Sequence, residues 1–196
     1  MDEQLKKKWL EMSVREVSTQ CKLARTAFEA IPQLPGVEYP FILIYSFLSH
    51  CANASKMLQA LHEPQPMLKY EFEWRAVYAR LRRWGLVRRG PTIGDLLEIR
   101  KSSAVHHRGR KFRNDLEHYD QRLFEWLSKH GPAVNIGDFN VMPKAAVRGL
   151  NLIYVRNLDP TTNTFTFVDK DLDLNALVAE LDRIRGTADR YIASLR

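Results

Sequence analysis

Between residues 2 and 30, apolar side chains recur at alternating steps of three and four: Leu10, Val14, Val17, Cys21, Ala24 and Phe28. On a helix of 3.6 residues per turn these positions form one seam, so the pattern predicts a long helix with a single buried stripe. IPQLPG, with Pro32, Pro35 and Gly36, marks a loop after it. Residues 40–62 begin apolar nearly all round, which predicts a helix in the middle of a bundle, with Pro40 in its first turn and Pro64 and Pro66 beyond its end. Residues 67–84 form a third candidate helix, apolar at Phe72, Trp74, Val77, Tyr78, Leu81 and Trp84, with Gly85 as its cap. The loop GLVRRGPTIGD leads to a short predicted helix over 92–101, and SSAVHHRGRK is too polar and too rich in glycine to be assigned as helix.

The next helix is predicted from Lys111 to Lys129, ending at HGP, where Gly131 caps and Pro132 cannot continue. At about 100° per residue, Phe112, Leu116, Tyr119, Leu123, Trp126 and Leu127 fall into one core-facing stripe. Asn114 and His118, one turn apart, lie on the opposite side, and Arg113 lies at the stripe's edge. Beyond Pro143, two alternating runs, 151–156 and 164–169, flank a turn rich in Asp, Pro, Thr and Asn and predict a β-hairpin. A last amphipathic helix follows, with Leu174, Leu177, Leu181, Ile184 and Ile192 as its seam. An isolated hairpin is marginal in water, so this one is expected to pack on the bundle. The expected architecture is mainly α: a helical bundle of four to five helices over residues 1–130, with a C-terminal extension of loop, hairpin and helix over 131–196.

With 196 residues, 45% of them apolar and 27% charged, the chain suits one globular domain with a small extension. No apolar run reaches the roughly 18 residues that span a bilayer, and MDEQLKKKWLEMS lacks the features of a secretory signal. A cytoplasmic protein with no membrane association is expected. Cys21 and Cys51 lie in helical apolar patterns without metal-ligand spacing and are expected to be buried reduced thiols. His50 and His62 are read as structural histidines. The adjacent His106 and His107 would point in different directions on a helix, and no Cys or carboxylate spacing completes a set with His118, so no metal and no cofactor are expected. No glycine-rich phosphate loop, nucleophile elbow or internal repeat is present.

The net charge of +7 is unevenly placed. Residues 68–113 hold 13 lysines and arginines against Glu71, Glu73, Asp95 and Glu98, while the remainder is slightly acidic. This surplus ends beside Arg113, Asn114 and His118, where a polyanion would be drawn if chemistry took place there. Arg108, Arg110 and Lys111 are the basic residues nearest those three and are the candidates for contact with such a polyanion. A solvated basic surface is the alternative. The aromatics of residues 67–84 lie among arginines, a mixture that can stack on bases, but core positions for Phe72, Trp74 and Trp84 are the preferred reading.

The stretch Arg113, Asn114, Asp115, Leu116, Glu117, His118, on a long late helix of a helical chain, resembles the motif of the HEPN superfamily (higher eukaryote and prokaryote nucleotide-binding domains). The resemblance covers roughly residues 5–130. It implies a metal-independent endoribonuclease acting as a homodimer, with the motif helices of two copies meeting in one cleft, and a toxin or defence role with an antitoxin as a further partner. By the same resemblance Arg113, His118 and Asn114 are the catalytic residues. Cleavage by the ribose 2′-hydroxyl needs a base, an acid and a cation for the phosphorane. Histidine can serve as acid or base near neutral pH, Arg113 has the planar fork that suits phosphate, and Asn114 can orient either. Family members silenced by nucleotidyl transfer carry a tyrosine two residues after the histidine; here Asp120 stands there, with Tyr119 one position early. Glu117 lies at ion-pair spacing from Arg113. A non-catalytic nucleic-acid or nucleotide binding module, or a polar network stabilising a dimer, therefore stands as the alternative.

Overall fold

The computed structural model describes residues 3–33, 36–60, 92–99, 105–131, 135–147 and 152–195. The predicted helix over 67–84, the surrounding loop and His62 lie outside the described residues. Within them the chain is mainly α, with six α-helices and a small sheet in its C-terminal part.

Helix α1 (Glu3–Ala30) follows the predicted seam, with Val14, Val17, Cys21 and Ala24 at 0–1% exposure. It packs on α2 (Tyr39–Leu58) and on the last helix, α6 (Leu174–Ser194). Asp173 caps α6 by accepting from the Ala176 N–H at 3.0 Å. Leu174, Leu177, Leu181 and Ile184 enter the core from α6, while Arg25 pairs with Asp182 and the Ser18 hydroxyl donates to Asp189 at 2.6 Å along the α1–α6 seam. The middle position expected for α2 is only half correct. Phe41, Ile44, Phe47 and Leu48 are fully buried, but Tyr39 and Ile42 are more than half exposed, and the helix ends at Leu58 rather than near residue 62. An apolar surface all round allows enclosure without requiring it.

Both cysteines are free and buried, as expected. Burial pushes the Cys21 thiol up to about 12 and the Cys51 thiol well above its ordinary value, so neither is a thiolate near neutral pH. His50 donates from Nδ1–H to Gln20 Oε1 at 2.7 Å, and burial lowers its pKa, with Glu16 opposing.

The short helix predicted over 92–101 is a single turn, α3 (Ile93–Leu96). Thr92 and Asp95 form a reciprocal capping box that starts it, and Leu97 already leaves helical geometry. The SSAVHHRGRK stretch is a correction: Val105–Gly109 is a π-helical turn that runs into α4 (Arg110–Glu117). Its glycine, read as a helix breaker, serves packing instead. A Cβ at Gly109 would lie 3.1 Å from Cys51 Cβ, a tighter contact than most side chains make, so glycine lets this turn lie close to α2 without displacing it.

The long motif helix is likewise corrected. It is divided at His118 into α4 and α5 (Tyr119–His130). His118 has φ −103° and ψ 41°, so its ψ departs from the α-helical value by about 80°. The i→i−4 hydrogen bonds on either side survive, from His118 N–H to Asn114 O and from Arg122 N–H to His118 O. The apolar stripe is as predicted, with Phe112 and Trp126 buried and Leu116, Tyr119, Leu123 and Leu127 packed against the core. Gly131, at φ 72°, closes α5 by donating to Leu127 O.

The predicted hairpin is the centre of a larger sheet. Strands β4 (Arg156–Asp159), β5 (Thr164–Phe167) and β6 (Lys170–Asp173) form an antiparallel meander, and β2 (Asn140–Val141) lies parallel beside β4. A separate pair joins β1 (Asn135–Gly137) to β3 (Leu152–Tyr154) in parallel. The run read as one strand over 151–156 is thus broken at Val155, whose N–H donates to Gly137 O and whose carbonyl accepts from the Val168 N–H. One continuous core joins Phe165, Phe167 and Leu172 of the sheet to the helices.

Asp159 closes the β4–β5 turn. It accepts from the Thr161 hydroxyl at 2.6 Å and N–H at 2.9 Å and from the Lys144 N–H at 3.1 Å. These bonds, Thr161's first and against the opposing effect of burial, hold its carboxyl below the ordinary carboxylate range. A carboxyl whose pKa is depressed on folding stabilises above its unfolded value near 4, and that contribution disappears as pH falls through the folded value. Asp159→Asn is therefore expected to be less stable than wild type in urea at pH 7, with the gap narrowing below pH 4. A gap independent of pH would show that the charge does not matter.

Candidate functional site

Arg113, Asn114 and His118 are drawn to the surface by the helix that buries Phe112 and packs the half-buried Leu116 against the core. The structure then divides them. Arg113 turns toward Glu117 and forms an ion pair with it, at 32% and 43% side-chain exposure. Asn114 and His118 are exposed, and their side chains form no hydrogen bond to a described residue. The division follows helical angle: positions 113 and 117 lie about 40° apart on one side, as do 114 and 118, and roughly 100° separates the two pairs.

Arg113 and Glu117 face a cleft of about 370 Å³, lined also by Tyr45, Leu48 and Ser49 of α2, Leu116, Tyr119, and Arg156 of β4. Asn114 and His118 do not line it. An exposed i,i+4 ion pair contributes only about 0.3–0.5 kcal/mol. A phosphate, offering a bidentate charged acceptor to the guanidinium, is a stronger partner than a carboxylate held at that spacing. Glu117 therefore occupies Arg113 without locking it.

Arg156 is the cleft's second guanidinium and was not legible as such: in the sequence it is one charge at the end of a strand run. Asp138 takes Nε and Nη2 at 2.7 and 2.5 Å, and Nη1 donates to the Tyr45 hydroxyl at 2.9 Å. The Phe139 ring lies 3.6 Å from its Cζ on one approach, and the Tyr119 ring 4.9 Å on another. Burial works against its charge, but the bonds to Asp138 and Tyr45 outweigh it and push its pKa above the ordinary value. Its charge is permanent and its orientation fixed.

Asp115 is a further residue that sequence reasoning missed. It is 2% exposed and joins Arg122 Nε at 3.0 Å and Lys170 Nζ at 2.8 Å. A signal existed, because Asp115 falls at the edge of the apolar stripe, where a carboxylate drawn into the core needs cationic partners. Lys170 came from a distant strand, which no helical spacing reveals.

Arg108, Arg110 and Lys111 are exposed at the start of α4, and Arg110 Nη1 donates to Gln59 Oε1 at 2.9 Å. Arg110 and Lys111 lie one turn before Asn114, on its side of the helix. The other arginines of the basic segment, from Arg75 to Arg100, lie outside the described residues. Among the described residues no three His, Cys, Asp or Glu side chains gather in a metal-binding group, and no helix is long and apolar enough to cross a membrane. The side chains of His106 and His107 lie outside the described residues. In comparisons with known proteins, the chain matches no family model, no curated protein and no solved structure.

Proposed function

We propose that this chain is a metal-independent endoribonuclease of HEPN-like type, acting as a homodimer across the Asn114–His118 face. One observation carries the reading: an exposed His and Asn, without a side-chain hydrogen bond among the described residues, sit where the helix loses its regular geometry, beside an arginine that opens onto a cleft. In this scheme His118 of one copy removes the ribose 2′-proton, and the symmetry-related histidine protonates the leaving 5′-oxygen. Arg113 leaves Glu117 to neutralise the phosphorane, Asn114 orients the histidine or the phosphate, and Arg108, Arg110 and Lys111 hold the flanking RNA. Such a protein fits a toxin or defence role, with an antitoxin as partner.

The Arg113–Glu117 pair favours a second reading, a non-catalytic RNA or nucleotide binding module in which the motif is a surface network. A mixed RNA pool in excess chelator, incubated with wild-type protein and with His118→Ala, separates the two after circular dichroism and sedimentation confirm equal folding and assembly. Wild type is expected to leave 2′,3′-cyclic phosphate ends, and the variant to be slower by about 10²–10⁴-fold. Intact RNA in both reactions, with tight salt-dependent binding in both, would select the binding module.

A further inference from the structure

The distortion at His118 has no local cause. Kinks arise at proline, at glycine or serine pairs, or at inserted groups, and Arg110 to Glu125 contains no proline, glycine or serine. The groups that pack against the helix are the remaining source of it.

Arg156, Phe167 and Lys170 form one row across the sheet. Arg156 is the register partner of Phe167 on β5, and Phe167 is the partner of Lys170 on β6. Paired residues on neighbouring strands project to the same face, so all three side chains present together. They meet the motif helix on both sides of His118. Lys170 Nζ reaches Asp115, three residues before it, at 2.8 Å. Arg156 lies 4.9 Å from the ring of Tyr119, one residue after it, and the Phe167 ring lies 5.9 Å from the same ring.

The row and a regular helix do not match in spacing. Arg156 and Lys170 are two strands apart, about 9.5 Å at the backbone, whereas residues 115 and 119 of an α-helix are separated by a rise of about 6 Å. The backbone leaves helical geometry between these anchors, at His118. The turn joining Phe167 to Lys170 adds a third attachment. Val168 and Asp169 adopt φ 40° and 64°, a conformation strained for a β-branched residue. Held so, Asp169 accepts from Trp126 Nε1 at 2.5 Å and meets His130 Nε2 at 2.9 Å.

We propose that the C-terminal sheet is a template for the motif, with Arg156 and Lys170 as positioning residues that impose the non-helical backbone of His118 and so aim its side chain. The role of this C-terminal part in the reaction rests on the nuclease reading above; its effect on the His118 backbone does not. Neither residue needs to touch RNA for this.

The test uses the full chain labelled with ¹³C and ¹⁵N, as wild type, Arg156→Lys, Lys170→Met and Lys170→Arg, each first checked for cooperative urea unfolding. Arg156→Lys loses the fork to Asp138 and the stacked plane while keeping the charge; Lys170→Met leaves Asp115 with Arg122 alone. In both, the His118 Cα resonance is expected to move toward helical values, and kcat for RNA cleavage to fall about tenfold or more with KM within about twofold. Lys170→Arg restores the bond to Asp115 and is expected to match wild type in both readouts. Folded Arg156→Lys and Lys170→Met proteins whose His118 resonance stays at the wild-type position would overturn the template. If the wild type cuts no RNA but the resonance moves as described, the template stands and the nuclease reading alone fails.

Discussion

Phe165→Ala is expected to remove about 3–5 kcal/mol of folding stability, the range for truncating a fully buried phenylalanine. Phe165 has 0% exposure and lies on β5 between Leu158 of β4 and Leu172 of β6. Its ring faces Phe41 of α2 and Phe112 of α4, each with a centroid separation of 6.3 Å. The sheet, α2 and α4, far apart in sequence, thus close on one ring, and alanine would leave a cavity between them. Domains of this size are stable by only about 5–15 kcal/mol, so the loss is a large fraction of the whole. Urea unfolding followed by circular dichroism measures it. Phe124→Ala, at a residue 72% exposed, is the control and should shift stability by no more than about 0.5 kcal/mol. A loss at Phe165 as small as that at Phe124 would mean that the sheet and helices do not share a core.

The second large effect concerns Arg113, and it has opposite signs for the two partners of its ion pair. Arg113→Ala is expected to slow RNA cleavage by about 10²–10³-fold, the range for losing one group that stabilises developing charge. Glu117→Gln removes only the competitor. Because the pair contributes a few tenths of a kcal/mol, Glu117→Gln should leave stability nearly unchanged and cleavage equal to or faster than wild type. If Arg113 and Glu117 are instead two halves of a structural network, both variants will weaken self-association alike and neither will change cleavage. Rates in chelator, with sedimentation of each variant, decide between these patterns.

The seams of α1 and α6 were legible because one face of each meets the core and the other meets water, so burial follows a 3.6-residue period. The stripe of the motif helix was legible for the same reason, down to Phe112 and Trp126. Where the period carried less information, the reading failed. SSAVHHRGRK reads as a loop by propensity, but its described part, Val105–Gly109, is a helical turn in which Gly109 fits closely against Cys51. The parallel additions β1 and β2 contain three and two residues, too few for an alternation to register.

The candidate site divides along the same line. The sequence by itself determined which side chains share a helix face, since that depends only on angle along one backbone: it put Asn114 and His118 in solvent and Glu117 within reach of Arg113. Tertiary structure alone decided what those side chains face. It set Arg156, Tyr45 and Ser49 opposite Arg113 and sent Lys170 to the buried Asp115, while His118 leaves helical geometry with no proline, glycine or serine beside it. These contacts join residues up to 111 positions apart. Their spacing in the chain carries no trace of them, because packing and strand register, unlike helical phase, are settled only when the whole core closes.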